Sequence, residues 1–439
     1  MDYTKFFSIN ASRRKPSWIG RLRKFVSSPN VLWLAGGLPN PSRFPFSEAK
    51  VTLRDGTVIN ISPETMAAAL QYGNKEGNVQ LLNYLSDLTQ RLHAPPCWSR
   101  TKQLITVGQD GLAKAFVMLV DPGDYVIVPR FCSTGNFSEL SALNPRYISV
   151  EEDEEGMLAE DLRSTLAQLE LESEFNHHEF RPKVMYVNPS SNSPSGKGMR
   201  EQRRRAIYAI ACEYDLLILE DDPYYFLHFS DAINFDINEH QDLPPSFLNL
   251  DHEGRVIRFD SFSDVVNTGV LTEVITGPEP LVEKILQHVQ ATVLAGVGLS
   301  QALFTELLRA WGVDGFLRHV REVRELYCSR RDAMLMAAEK HLTGLCEWNV
   351  PEGGMFLWLK VPGIKGTQGM LARCCADKNL LLAPGNGFTT NPKLPCQYMR
   401  ACYSTATLEQ MDKAFKILAD LIREEIQRDK DSPHHYDLL

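Results

Sequence analysis

Along the middle of the chain, short continuous apolar runs alternate with longer segments whose apolar residues recur at helical spacing. Gln103-Leu104-Ile105-Thr106-Val107 predicts a strand, Gly108 turns the chain, and a helix follows from about Asp110 to Leu119. Asp121-Pro122-Gly123-Asp124 is a turn leading into the strand Tyr125-Val126-Ile127-Val128. Further strands are predicted at Val184-Met185-Tyr186-Val187, Leu216-Leu217-Ile218-Leu219, 255–258 and 274–276, with a helix over 200–213. Strands apolar on both faces and alternating with helices predict a mostly parallel α/β sheet covered on both sides. After about residue 315 the pattern changes to a long helix (316–341), a strand (355–359), a helix (367–376), short strands (380–382 and 398–403) and a last helix (408–427). The expected organisation is an N-terminal arm and part of a small domain over 1–48, a large α/β domain over 49–315, a small C-terminal α+β domain over 316–427, and a polar tail over 428–439 expected to be disordered. The polar segments 171–182 and 231–245 read as surface loops.

The 439 residues are 44% hydrophobic, enough for a large core in two or three domains. A net charge of −9 speaks against a nucleic-acid partner, because phosphate binding wants a basic face. The basic cluster Arg13, Arg14, Lys15, Arg21, Arg23 and Lys24 reads as a solvated arm. The first residues carry no apolar signal core, and no apolar run is long enough to span a bilayer, so no membrane partner is expected. Nine cysteines without a CxxC pair point to a reducing compartment, with the cytoplasm as the expected location. His177-His178 has no partner at metal spacing, so no metal site is expected. The acidic run 151–155 reads as a solvated loop and Ser191-Asn192-Ser193-Pro194-Ser195-Gly196-Lys197 as a surface turn.

Several words stand in order along the chain: Leu34-Ala35-Gly36-Gly37-Leu38-Pro39-Asn40-Pro41, Ala69-Leu70-Gln71-Tyr72, Glu220-Asp221-Asp222-Pro223-Tyr224-Tyr225-Phe226, Ser261-Phe262-Ser263, Gly353-Gly354-Met355-Phe356-Leu357-Trp358 and Met399-Arg400-Ala401. In this order and spacing they resemble the class I, fold-type I aminotransferases, with the kynurenine/α-aminoadipate aminotransferase branch nearest. The resemblance covers nearly the whole chain. It implies an aminotransferase-like large domain with a mostly parallel sheet, a small α+β domain built from both chain ends, and a homodimer with sites at the subunit interface. It also implies pyridoxal phosphate (PLP) chemistry, which needs a Schiff-base Lys, phosphate anchors, an acid on the pyridine nitrogen, a stacking aromatic and an Arg for the substrate carboxylate.

Set against that pattern, the departures gather around the cofactor. Asp264 stands at the Lys position and Leu271 at the phosphate-binding Arg. Ser193 replaces an Asn, Phe131 a Tyr, and the phosphate loop Gly108-Gln109-Asp110-Gly111 is shorter and carries an acid. What matches is Asp221 at the pyridine-nitrogen acid, Tyr224 three residues on, Ser261, Ser263, Arg400 at the carboxylate-binding Arg, and Tyr72 at the aromatic near the interface.

A PLP phosphate is a dianion, and each lost charged partner costs roughly 1.5–3 kcal/mol. The expectation is therefore that PLP is lost and no cofactor replaces it. Asp264 and Asp221 would line the vacated cavity, where two carboxylates push one pKa up, giving an acid and a base. With Tyr224 they form the expected catalytic group. Arg400, Tyr72, Ser193, Phe131 and Gly37 are the expected substrate contacts. The first reading is a cofactor-independent cyclase or isomerase acting on a small carboxylate-bearing metabolite. A non-catalytic, aminotransferase-like pseudoenzyme and a residual PLP-dependent aminotransferase using another lysine, such as Lys197, remain open beside it.

Overall fold

The computed structural model describes residues 1–15, 32, 34, 37–176, 181–229 and 244–431. Arg21, Arg23, Lys24, Ala35, Gly36, His177, His178 and the tail from 432 lie outside the described residues, and so do the expectations placed on them.

The predicted strands build one seven-stranded sheet. In spatial order it runs Thr101–Val107, Thr272–Pro278, Val256–Ser261, Leu217–Asp221, Val184–Val187, Tyr125–Pro129 and Arg146–Val150. The last five run parallel, and only Thr272–Pro278 is reversed against both of its neighbours. Most of these strands are buried along their length, which is why they read as continuous apolar runs. The helices Asp110–Leu119 and Glu279–Thr292 cover one face through Leu112, Phe116, Leu281 and Ile285. Glu201–Glu213 covers the other through Ile207 and Ile210. The first residues join the large sheet: Phe6 and Ala11 sit in its core, and Ser8 Oγ donates to the Val117 carbonyl.

The second layer is a four-stranded antiparallel sheet, ordered Glu347–Trp348, Phe356–Lys360, Tyr398–Cys402, Ala383–Pro384. Gln368–Lys378 and Leu408–Asp431 pack on it around Leu357, Met399, Phe415 and Ile422. Three details differ from the sequence reading. The strand expected at 380–382 forms instead at Ala383–Pro384, because Asn379 closes the preceding helix in a left-handed conformation and Leu381 is left exposed. The last helix continues to Asp431, into the stretch read as tail. A further helix, from Gly298, precedes the expected long helix that ends at Leu342, and the two meet at Gly312, whose φ of 63° and ψ of −179° are not helical. The sequence break near 315 therefore lies beside a true break between two helices. No helix among the described residues is long and apolar enough to cross a membrane.

Because six strands point the same way and the reversed strand starts where Val107 ends, one edge of the large sheet collects Gly108, Phe131, Ser190, Asp221, Ser261 and Leu271. In open α/β sheets this carboxyl edge is where ligands bind.

Candidate active site

Asp221 closes the central strand at that edge. Its carboxylate is 6% exposed and accepts a 2.6 Å hydrogen bond from Tyr186 Oη on the adjacent strand. The neighbouring Asp222 accepts from Ser190 Oγ (2.7 Å) and from Arg258 (3.1 Å). Fully buried Arg258 also contacts Glu220 at 2.9 Å and Asp260 at 2.8 Å. This fixes the strand ends beneath the cavity and leaves Asp221 as the acid that faces it with Tyr224.

Tyr224 follows on a short turn, its ring edge-on to Phe356 at 6.3 Å. Burial pushes its hydroxyl pKa up, Asp264 and Asp221 add to this, and Arg400 opposes it. The phenol is therefore a donor at neutral pH, lying in the field of all three groups.

Asp264 sits in the turn after Ser261. The Val266 N–H donates to the Phe262 carbonyl (2.9 Å), and His319 Nε2 lies 2.7 Å from the Val265 carbonyl on the other side. Burial raises the Asp264 carboxyl above its ordinary value, with no cation offsetting it. Its charge also reaches Tyr327 on the long helix. Arg400, from Tyr398–Cys402, holds its guanidinium 3.8 Å from the Phe356 ring centre and 4.5 Å from that of Phe388, with Nη1 3.3 Å from Ser193 Oγ. Tyr224 thus lies within electrostatic reach of Asp221, Asp264 and Arg400, and Arg400 in turn touches Ser193.

Phe131, Tyr72 and Gly37 are not part of that group. Phe131 is buried against Trp358 (5.3 Å) and Tyr398 (4.9 Å), and its N–H donates to Glu152 at 3.1 Å. It lines a neighbouring polar cleft of about 300 Å³ shared with Arg130, Glu152, Ser195, Lys197 and Lys360. Lys197 is engaged there, donating to the Asp153 carbonyl at 2.9 Å, with Glu154 at 3.9 Å. Tyr72 is 54% exposed, and Gly37 is open to solvent. Gln71 Nε2 ties their two segments together through the Pro39 carbonyl (2.8 Å).

Three local expectations change. The segment around Ser193 is not a surface turn: residues 190–196 are buried, packed beneath Pro351 and Gly353, with a cis Ser193–Pro194 bond. The acidic run is not wholly solvated. Glu152 accepts from Phe131 N and from Asn192 Nδ2 (2.7 Å), and burial lifts its pKa to about 7. Asp110 does not present a bare charge, because it opens the Asp110–Leu119 helix and pairs with Lys114 one turn on.

Sequence reasoning missed Glu273, Tyr186 and Tyr327. Glu273 is 5% exposed on the strand beside Gly108, accepting from Thr106 Oγ1 at 2.7 Å and from the Gly111 N–H. Burial above all, with Asp221 and Asp110 adding, holds its carboxyl well above the usual range. The available signal was an acid at an inward position of an otherwise apolar strand. For Tyr186 it was a phenol inside a buried strand, which requires a polar partner.

The family description "Aminotransferase class I and II" matches residues 40–418. The mitochondrial kynurenine/alpha-aminoadipate aminotransferase of Bos taurus is 39% identical over 435 residues, covering 97% of this chain and all of that protein. Among solved structures, aminotransferase Aro8 from Candida albicans superposes with a TM-score of 0.85 at 25% identity, covering 97% of this chain and 99% of that one. Kynurenine aminotransferase from Pyrococcus horikoshii, solved with pyridoxamine phosphate, kynurenine and the product, has a TM-score of 0.74 at 28% identity, covering 97% and 98%. These matches overturn the reading of a cofactor-independent cyclase or isomerase and that of a non-catalytic pseudoenzyme. They also overturn the expectation of no cofactor. Full-length likeness to named aminotransferases makes PLP the expected cofactor.

The residues present suit that group unevenly. Asp221, held by Tyr186, suits a pyridine nitrogen, and the hydroxyls of Ser261 and Ser263 remain at the strand end. Leu271 brings no cation; it takes a left-handed φ of 45° and accepts from the Gly108 N–H at 3.2 Å. Asp264 offers no amine for covalent attachment.

Proposed function

We propose, from the premise that this chain belongs to the class I and II aminotransferase family, that it serves amino-group chemistry on α-amino and 2-oxo acids, with PLP or its amine form held without a covalent bond at position 264. The observation that carries this reading is Arg400: a guanidinium clamped between two rings, with a serine hydroxyl as its hydrogen-bond partner among the described residues and its charge reaching Tyr224. A planar guanidinium so placed suits a carboxylate, which it can grip with two parallel hydrogen bonds. The cofactor, when bound, supplies the electrophilic carbon and the electron sink that amino-group exchange requires.

The chain's own residues contribute binding and proton placement. Asp221 would hold a pyridine nitrogen in its protonated form, with Tyr186 keeping the carboxylate oriented. Tyr224 Oη would donate to an anionic oxygen of the ligand. Asp264, half-buried, has its carboxyl held above its ordinary value by burial and would face the ligand as a proton acceptor or hydrogen-bond partner. Phe356 and Phe388 keep water from the Arg400 faces. The relatives named for kynurenine and α-aminoadipate favour an acid with a second polar or aromatic end. Exposed Tyr72 and Gly37 support a homodimer in which these segments complete the partner's cavity.

The test is to incubate the full chain with PLP, α-aminoadipate and an acceptor 2-oxo acid and to follow α-oxoadipate, with Asp264→Lys in parallel. Product formation that Arg400→Gln reduces supports the reading. No product from either protein, with no saturable cofactor binding, overturns it.

A further inference from the structure

The polar cleft beside Phe131 is separate from the site around Tyr224: Asp221, Tyr224, Asp264 and Arg400 do not line it. One wall belongs to the large layer, through Arg130, Phe131, the Glu152–Asp153 strand and the buried segment that runs on to Lys197; the other belongs to the small sheet, through Trp348, Trp358, Lys360 and Tyr398. At about 300 Å³ it lies at the lower end of the range for small-molecule sites. Several of its charges are answered by the protein: Arg130 by Glu151 at 2.6 Å, Asp153 by Arg203 at 2.8 Å, and Lys360 by Glu347 at 2.9 Å. Lys197, Glu152 and Glu154 keep capacity to spare. Lys197 Nζ spends one of its N–H donors on the Asp153 carbonyl, and Glu154 stands 3.9 Å away, beyond hydrogen-bond range. Glu152 accepts from Phe131 N at 3.1 Å and from Asn192 Nδ2 at 2.7 Å, and a carboxylate can accept more than two such bonds. Ser195, on the same wall as Lys197, is 4% exposed, and its hydroxyl has no partner among the described residues. A simple anion in the cleft would meet Lys197 but also Glu152 and Glu154, and a simple cation the reverse, whereas a ligand carrying both charges satisfies each in turn. Half-buried Trp348 and Tyr398 supply flat apolar surface beside these charges, and Tyr398 is held there by stacking on Trp358 at 5.3 Å and 13°.

We propose that this cleft binds an aromatic α-amino acid as a zwitterion, its carboxylate on Lys197, its ammonium on Glu152 and Glu154, and its ring against Trp348 and Tyr398. The site goes beyond the proposed function and depends on none of the residues named for it.

Calorimetric titration of the full chain with L-tryptophan tests this, beside indole-3-propionate, which lacks the ammonium, tryptamine, which lacks the carboxylate, and L-alanine, which lacks the ring. Tryptophan should bind saturably and about tenfold or more tightly than each of the three. Lys197→Gln should cost about tenfold in tryptophan affinity and bring it near that of tryptamine, whereas Lys197→Arg should keep it, which separates loss of charge from loss of fold. Trp348→Leu should weaken every indole ligand alike, and Arg400→Gln should leave this binding in place. Two binding events, one lost with Lys197→Gln and the other with Arg400→Gln, support the proposal equally and assign the second event to the site around Tyr224. Three results overturn it: no saturable binding of tryptophan, binding of indole-3-propionate or tryptamine as tight as that of tryptophan, or a single event lost with Arg400→Gln and kept with Lys197→Gln.

Discussion

Tyr186 Oη donates to Asp221 Oδ2 across 2.6 Å, joining two adjacent parallel strands at the edge where the cavity opens. The bond is buried on both sides, so it fixes the acid's orientation as well as stabilising the strand ends. Tyr186→Phe removes the donor and leaves a buried acceptor short of a partner. The expected loss is about 1–3 kcal/mol, read as a lowered denaturant midpoint with an unchanged slope.

Arg258 answers Glu220, Asp222 and Asp260 in a fully buried cluster. Arg258→Leu takes from three acids their shared ion-pair partner, leaving the Arg204 guanidinium to act on Glu220 and Asp222 from further off. The expected destabilisation is about 3–5 kcal/mol, measured by chemical denaturation or, where folding fails, by loss of soluble protein.

Glu152 makes stability depend on pH in a definite direction. Its folded pKa is raised from the ordinary 4.5 to about 7, chiefly by burial. A raised carboxyl pKa means the folded form binds more protons than the unfolded chain. The contribution is therefore complete below the unfolded pKa and is lost as pH rises through the folded one. Glu152→Gln should gain stability relative to the native chain between about pH 5 and about pH 8, as followed by denaturation at both. A difference that stays flat across this window removes Glu152 from the account.

Gly111 has no room for a side chain: a Cβ there would come within 2.4 Å of Glu273 Oε2 and 2.6 Å of Thr106 Oγ1. Gly111→Ala should cost about 1–3 kcal/mol through this crowding. Adding Glu273→Ala should recover part of that loss, giving a non-additive double-variant cycle in thermal or denaturant unfolding.

Much of this architecture was legible in the chain. Val184–Val187 and Asp110–Leu119 form where apolar runs and helical spacing place them, because their burial is decided by local pattern. Asp221, Asp264 and Arg400 come within electrostatic reach of Tyr224 because each sits at the end of, or directly after, a strand or within one that the pattern already marks. What escaped the sequence depends on contacts across the fold. Ser193 looks like part of a polar surface turn until Pro351 and Gly353 cover it, and Glu152 looks solvated until Phe131 and Asn192 reach it from other segments. Asp264, Leu271, Ser193, Phe131 and the loop at 108–111 together pointed to cofactor loss, whereas likeness along the whole chain to named aminotransferases makes PLP the expected cofactor.

The contact between Glu273 and Gly111 has a historical meaning as well. A carboxyl that fills the space beside a glycine makes the two positions hostage to one another. A side chain at 111 would also meet Thr106 and Ile275, so shortening 273 clears only part of the space. Any lineage that places a side chain at 111 must therefore change more than one neighbour with it.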